Sequence, residues 1–109
     1  MIEEFIKRQI KWSKKTFGDG RRTIGVTDHI RKELDEILAD PDDVTEWIDV
    51  IILAFDGAWR TGHSTREIIK ALRDKQLKNF GRQWPDLRDS DVPVEHIENA
   101  TSLRRNNND

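Results

Sequence analysis

The spacing of apolar residues along the chain predicts four helices. Apolar side chains recur every three or four residues in segments of about 2–15, 28–40, 44–61 and 65–80, and this interval places them on one face of a helix. No segment shows the alternation of apolar and polar residues that is typical of a half-buried strand. The pattern therefore predicts an all-α fold.

Capping residues and helix breakers predict the boundaries of these segments. The N-cap candidates are Thr27 or Asp28 for the second helix, Asp43 for the third and Ser64 for the fourth. Ser64 and Glu67 have the spacing of a capping box, in which each side chain accepts a hydrogen bond from the other residue's backbone N–H. Pro41 and Gly62 end the second and third helices. The glycines within residues 16–25 predict a loop after the first helix.

The third predicted helix is apolar over more than half of its circumference, and its Trp47 and Trp59 lie on different sides. A helix with this pattern belongs in the centre of a fold. Three other short helices of a 109-residue chain cannot cover all of this surface, because a chain of that size buries only a small core. We therefore expect a four-helix domain that is completed by homo-oligomerisation, as a homodimer or a homotetramer.

The sequence is expected to contain one domain, residues 1–86, followed by a polar C-terminal extension, residues 87–109. The chain becomes polar after the segment "WPD" and finishes with "RRNNND". These last residues have almost no apolar surface to bury, so folding them gains too little to offset the lost chain entropy. We expect part of the extension to be disordered.

Composition narrows the classes of partner. Charged residues make up 37% of the chain, yet the formal net charge is only -2, so no overall basic field attracts nucleic acid or an anionic membrane. The absence of cysteine excludes thiolate metal sites and leaves oxygen and imidazole as ligands. The N-terminus lacks the regions of a signal peptide, and no segment reaches the roughly 20 apolar residues of a membrane span. We therefore expect a cytoplasmic protein.

Four carboxylates form two pairs, one of them on the most apolar helix. Glu33 and Glu36 lie three residues apart on the second predicted helix, and Glu46 and Asp49 have the same spacing on the third. Residues at this spacing share one helix face. Carboxylates held so closely repel each other, and a cation that binds several oxygens offsets the repulsion. Mg²⁺, with Mn²⁺ as an alternative, suits such an all-oxygen site.

Ordinary structural roles for the same residues stay open at this stage. Glu46 stands at the third position of a capping box that begins with Asp43, so its carboxylate has a second use. Glu33 and Glu36 are also compatible with a solvated helix face. His29, one turn before Glu33, is either a further metal ligand or a residue that supports the site.

The order Glu33-x-x-Glu36 followed by Glu46-x-x-Asp49 resembles the metal-binding signature of the all-α nucleoside triphosphate pyrophosphohydrolases, the MazG-like superfamily. Three longer stretches look like its dATP/dGTP pyrophosphohydrolase (MazZ-like) branch: "WSKKTFGDGRRTIGVTDHIRKEL", "DDVTEWIDVIILAFDGAWRTGH" and "KNFGRQWPD". The resemblance covers about residues 10–97. The gap of nine residues between the two acidic pairs is shorter than in many MazG-like proteins, which shortens the connection and leaves the acids in place.

The resemblance implies a MazG-like four-helix bundle and a reaction. In such enzymes the four acids hold Mg²⁺ against a triphosphate, and a metal-activated water attacks the α-phosphorus, so that a monophosphate and pyrophosphate are released. One acid, with Glu36 as the first candidate, holds or deprotonates the water. The expected substrates are dGTP and dATP, and the expected location is the host cytoplasm if the chain is phage-encoded.

The resemblance also implies contacts with the substrate. Its candidates are Lys75, Asn79 and Arg82, and residue type and helix position add Trp12, Ser13 and Asp56. The first three are expected to bind phosphate or sugar, although a solvated charged face explains them equally well. Trp12 is suited to stacking on a purine and Ser13 to orienting it, while packing of Trp12 in the core is the alternative. Asp56 extends the acidic stripe of the third helix.

Two other classes of function compete with this interpretation. Residues 61–79 contain a turn followed by a helix with several basic residues, which is compatible with a helix-turn-helix DNA-binding regulator. The acidic net charge weakens that hypothesis, and it gives no role to the paired acids. The second rival is a helical interaction module with no catalytic activity and no metal.

Overall fold

The computed structural model describes residues 1–98 and forms four α-helices. Their bounds are Ile2–Phe17 (α1), Thr23–Ala39 (α2), Val44–Arg60 (α3) and Thr65–Phe80 (α4). Extended pairing within residues 1–98 is limited to one isolated bridge between Gln83 and Ile97. The predicted all-α class with four helices is therefore confirmed. Residues 99–109, which include the end of the predicted disordered extension, lie outside the described part of the chain.

The chain divides into two compact units, Met1–Leu72 and Arg73–Asp109, and α4 contributes residues to both. In the first unit α3 contacts both α1 and α2, so its predicted central position is confirmed. A small core forms around Ile6 of α1, Trp59 of α3 and Ile68 of α4. In the second unit, the indole N–H of Trp84 donates to the Asn79 carbonyl over 2.8 Å.

The predicted boundaries of α3 and α4 are confirmed by their caps. The Asp43 carboxylate accepts hydrogen bonds from the backbone N–H of Thr45 at 2.9 Å and from its hydroxyl at 2.6 Å. Gly62, just past the end of α3, has a positive φ of 98°, which glycine adopts without steric cost. Ser64 and Glu67 form the reciprocal capping box, with N–H to side-chain distances of 2.8 and 3.1 Å.

The predicted start of α2 is wrong, because the helix begins at Thr23 and neither proposed cap acts as one. The Thr27 hydroxyl donates to the Thr23 carbonyl over 2.8 Å, as threonines inside helices do. The Asp28 carboxylate accepts instead from Arg31 over 2.6 Å. Gly25 is accommodated in the first turn of the helix, so the loop is shorter than its glycines indicate.

A broad apolar surface of the chain is exposed. Large apolar side chains that are at least 40% exposed include Leu34 and Leu38 of α2 and Val44, Trp47, Ile48 and Ile51 of α3. The expectation that α3 is too apolar for its neighbours to cover agrees with this exposure, and self-association stays a prediction. Within residues 1–98, no helix combines the length and apolarity that a membrane crossing requires.

Candidate metal centre and adjoining cavity

The two acidic pairs meet between α2 and α3. Glu33 and Glu36 come from α2, Glu46 and Asp49 come from α3, and one oxygen of each lies within 4.8 Å of one oxygen of every other. We call these four residues the acidic quartet. The short turn between Ala39 and Val44 brings the two helices together, and the three-residue spacing aims each pair at the facing helix.

The quartet is under electrostatic strain without a cation. Its Glu33 is only 8% exposed, and the Oε2 atoms of Glu33 and Glu46 are buried without a hydrogen-bond partner among the described residues. The pKa of Glu46 is raised to about 7, first by a hydrogen bond shared with Glu36, then by burial and by neighbouring negative charges. Burial, followed by the hydrogen bond and charge of Glu36, raises the pKa of Glu33.

These observations fit a hard divalent cation and disfavour the structural alternatives. Mg²⁺ and Mn²⁺ prefer several oxygen ligands, and the unpartnered carboxylate oxygens supply them. The capping-box alternative for Glu46 is not formed, because the Asp43 N–H donates to the Asp40 carbonyl over 3.2 Å. A solvated face does not describe the buried Glu33, whereas Glu36 is exposed. The Nε2 atom of His29 lies 3.2 Å from Glu33 Oε1, so His29 contacts an acid of the quartet.

A cavity of about 350 Å³ adjoins the quartet, and its lining includes Glu33 and Asp49. Its apolar lining comes from α1, α2 and α3 and comprises Trp12, Phe17, Val26, Ile52 and Leu53. The Trp12 and Phe17 rings meet edge to face, with centroids 5.5 Å apart. Trp12 is 54% exposed, so the structure places this indole at the cavity and not in the core. The cavity is large enough for a small planar ligand.

A buried ion pair adjoins the same cavity through Asp56. The Asp56 carboxylate accepts hydrogen bonds from the Trp59 indole N–H over 2.8 Å and from Arg60 Nε over 2.9 Å. Asp56 is 8% exposed and Arg60 only 4%. Burial raises the pKa of Asp56, but the hydrogen bonds from Ser13 and Arg60 and the charge of Arg60 lower it below its usual range. The negative charge of Asp56 is therefore balanced by Arg60 and by hydrogen-bond donors within the protein.

The Arg60 guanidinium also holds α1 and the loop that follows it. Arg60 Nη2 donates to the Ser13 hydroxyl over 2.8 Å, and Nη1 donates to the carbonyls of Gly18 and Gly20 over 2.9 and 3.1 Å. Ser13 is completely buried, and its hydroxyl is already engaged within the protein. We call Ser13, Asp56, Trp59, Arg60 and the two glycine carbonyls the Arg60 network. Both Ser13 and Asp56 also line the cavity.

The three substrate candidates near the end of α4 lie in the second compact unit. Arg82 Nη1 donates to the Asn79 side-chain oxygen over 3.1 Å, so two of the predicted ligands bind each other. Lys75 is exposed. The assignment of these residues to phosphate or sugar stays a prediction.

Sequence reasoning did not identify Gln9, Phe17 and Arg22, which also line the cavity. Gln9 precedes Trp12 by three residues and Ser13 by four, so helical periodicity alone places it beside them. Phe17 and Arg22 lie within residues 16–25, which were expected to form a loop. A loop has no helical periodicity from which the position of a side chain can be predicted. The sequence carries no local signal for the Arg60 network, since Arg60 and Ser13 are 47 residues apart.

The chain is similar to a known protein family and to a phage protein. The model of the dATP/dGTP pyrophosphohydrolase family matches residues 5–102. The chain is 38% identical over 95 residues to the Eaa protein of Salmonella phage P22. This match covers 87% of the chain and 29% of the relative, so the chain spans less than a third of that protein's length. No solved structure matches the chain significantly.

Proposed function

Because the chain belongs to the dATP/dGTP pyrophosphohydrolase family, we propose that it hydrolyses dATP and dGTP to the monophosphates and pyrophosphate. The observation that supports this most is the convergence of the acidic quartet beside a cavity with aromatic walls. A carboxylate cluster is suited to a divalent cation, and an aromatic cavity is suited to a base. The two together match a nucleotide that binds through a metal.

The acidic quartet is the proposed holder of the cation. Without one, four carboxylates repel a triphosphate, since both groups are negatively charged. A bound Mg²⁺ or Mn²⁺ offsets phosphate charge, lowers the pKa of water and aligns attack at phosphorus. The proposed ligands are Glu33, Glu36, Glu46 and Asp49.

Hydrolysis also requires a group that accepts the proton of the attacking water. Glu36 is exposed, and its carboxylate reaches the other three acids of the quartet. We assign to Glu36 the role of holding or deprotonating this water. When this water attacks the α-phosphorus, pyrophosphate is the leaving group.

The cavity is the proposed site of the purine base, with Trp12 and Phe17 as its aromatic walls. Base–aromatic stacking is worth about 1 to 3 kcal/mol per base. Ser13 and Asp56 are proposed to act through the Arg60 network, because both are buried and satisfied by protein partners. They set the position of α1 and so of the Trp12 ring.

The remaining elements of the proposal concern the assembly. Lys75, Asn79 and Arg82 are the proposed ligands of phosphate or sugar. A second copy of the chain is proposed to cover the exposed apolar surface of α2 and α3, giving a homodimer or a homotetramer. The similarity to a phage protein is compatible with action on the nucleotide pool of a host cytoplasm.

A panel of deoxynucleoside triphosphates with product analysis tests the proposal. The purified protein with Mg²⁺ should convert dATP and dGTP to monophosphate and pyrophosphate, faster than dCTP or dTTP. The same reactions with a chelator should show no turnover, because the quartet then repels the substrate. Release of orthophosphate with a diphosphate product would contradict the proposed reaction, and lack of any turnover would contradict the proposed function.

A further inference from the structure

The Gln9 side-chain amide lines the cavity and keeps its hydrogen-bonding capacity within residues 1–98. Apart from Trp12, the lining side chains with polar atoms are Gln9, Ser13, Arg22, His29, Glu33, Asp49 and Asp56. Two of these belong to the Arg60 network, and three belong to or contact the acidic quartet. Arg22 lies over the Phe17 ring, 5.4 Å from its centroid. The Gln9 side chain makes no hydrogen bond within residues 1–98.

The position of Gln9 on α1 fits a contact with the edge of a stacked base. Gln9 is half-buried, and it lies one turn before Trp12 on the same helix face. The Arg60 network holds α1 at Ser13, and this anchor fixes the helix that carries both side chains. A base stacked on Trp12 would then lie near the Gln9 side chain, since both residues line the same cavity.

We infer that Gln9 reads the base by hydrogen bonds from its side-chain amide, an inference that rests on the proposed function. The amide offers a donor and an acceptor side by side. Adenine presents a donor at N6 beside an acceptor at N1 or N7, and this pattern matches the amide in one orientation. Guanine presents a donor at N1 beside an acceptor at O6, which matches the amide after it rotates by half a turn.

A rotatable amide thus explains how one site accepts both purines. A charged group, or one that only accepts hydrogen bonds, would instead favour one purine over the other if it stood at the position of Gln9. Cytosine and thymine also carry a donor beside an acceptor, so Gln9 does not exclude pyrimidines by pattern. Pyrimidines are disfavoured by their size. The polar edge of a single ring stacked on Trp12 lies farther from the Gln9 amide than the polar edge of a purine.

Replacing the amide by a carboxylate gives the sharpest test. In Gln9→Glu, the carboxylate accepts from both N1–H and the N2 amino group of guanine, while it repels the N1 lone pair of adenine. The ratio of kcat/KM for dGTP to that for dATP should rise by about tenfold or more, since a good bidentate base contact discriminates at that level. Gln9→Leu should lower kcat/KM for both purines and leave their ratio near its original value.

The matched control is Gln76→Glu, the same change at an exposed position of α4. It should leave the dGTP to dATP ratio unchanged. If the wild-type protein turns over neither purine, the proposed function fails. If it turns over both and Gln9→Glu leaves their ratio unchanged, the inference about Gln9 is overturned.

The wild-type protein can also be tested with an altered substrate, which does not depend on whether a Gln9 variant folds. The deoxynucleoside triphosphate of purine, which lacks the 6-amino group of adenine, should be a poorer substrate than dATP. The loss should appear mainly in KM, since the base lies away from the reacting phosphorus. Equal kcat/KM for the two substrates would contradict an amide contact with adenine N6.

Discussion

Helix α3 carries carboxylates in two surroundings that are electrostatic opposites. Asp56 is buried with a guanidinium, an indole N–H and a hydroxyl around it, and its pKa is lowered. Glu46, earlier in the same helix, faces other carboxylates, and its pKa is raised to about 7. A protein that needs a buried acid for structure supplies its countercharge. The quartet has His29 beside Glu33, but no lysine or arginine is paired with it within residues 1–98, which fits the proposed metal cation as its countercharge.

Removing a charge should affect the two surroundings in opposite ways, and the largest effect is expected in the quartet. Asp49→Asn and Glu46→Gln should each lower turnover more than about 100-fold, because loss of even a supporting group beside a metal costs up to that factor. Without metal, each variant should be at least as stable as the wild type, since it removes a repelling charge. Kinetic assays and thermal unfolding with a chelator measure both properties, and unfolded variants would favour a structural role.

Breaking the compensated pair should instead destabilise the fold. Arg60→Met leaves Asp56 buried without its cation and should lower the free energy of unfolding by about 3 to 5 kcal/mol. The control is Arg31→Met at the exposed Asp28 pair, which should cost less than about 1 kcal/mol. Urea denaturation measures both. The double variant Asp56→Leu with Arg60→Met should regain much of the loss, and a double variant no more stable than Arg60→Met would contradict this account.

The aromatic wall of the cavity should affect substrate choice. Trp12→Ala should lower kcat/KM for dATP and dGTP by about tenfold to hundredfold, the value of one stacking contact. It should narrow their advantage over dCTP and leave the metal dependence unchanged. Steady-state kinetics on the three substrates test this prediction. An equal loss for purines and dCTP, or melting of the protein, would place the base elsewhere.

The smallest expected effect is a pH dependence that differs between the two regions. The pKa of Glu46 rises from 4.5 to about 7 on folding, so its contribution to stability is present below pH 4.5 and lost as the pH approaches 7. The lowered pKa of Asp56 gives stability that is lost only as the pH falls below its ordinary value of 3.8. Metal-free protein should therefore have a lower Tm at about pH 8 than at about pH 5.

Added Mg²⁺ or Mn²⁺ should reverse that trend, because cation binding requires the ionised carboxylates. Calorimetry across the pH range, with and without metal, provides the measurement. In Glu46→Gln the metal-free decline should be smaller. A metal-free Tm that is unchanged between the two pH values would remove the evidence for a strained quartet.

The parts of this structure that the sequence predicted are the ones encoded locally. Asp43 and the Ser64–Glu67 box act within one turn of their helices, so their spacing was sufficient to locate them. The quartet was also accessible, since each of its pairs has a local spacing and only the pairing of two adjacent helices had to be added. The family assignment from the same acids is confirmed by the match over residues 5–102.

The predictions that failed or were missing depended on distant partners. The start of α2 was placed too late, because Gly25 was weighed by its propensity and the helix accommodates it. The role of Arg60 was missing, because its partners on α1 and the following loop are 40 to 47 residues away. The match to the family also disfavours the hypothesis of a DNA-binding regulator. That hypothesis gives the acidic quartet no role.

The position of the quartet along the chain has a consequence for how this kind of protein diversifies. All four acids lie within a single helical hairpin, from Thr23 to Arg60, whereas Gln9 and Trp12 lie on α1. The proposed metal ligands and these two proposed base contacts therefore occupy different stretches of sequence, although α2 and α3 also line the cavity. We therefore expect substitutions at these two α1 positions to change which nucleobase is accepted while the four acids stay unchanged.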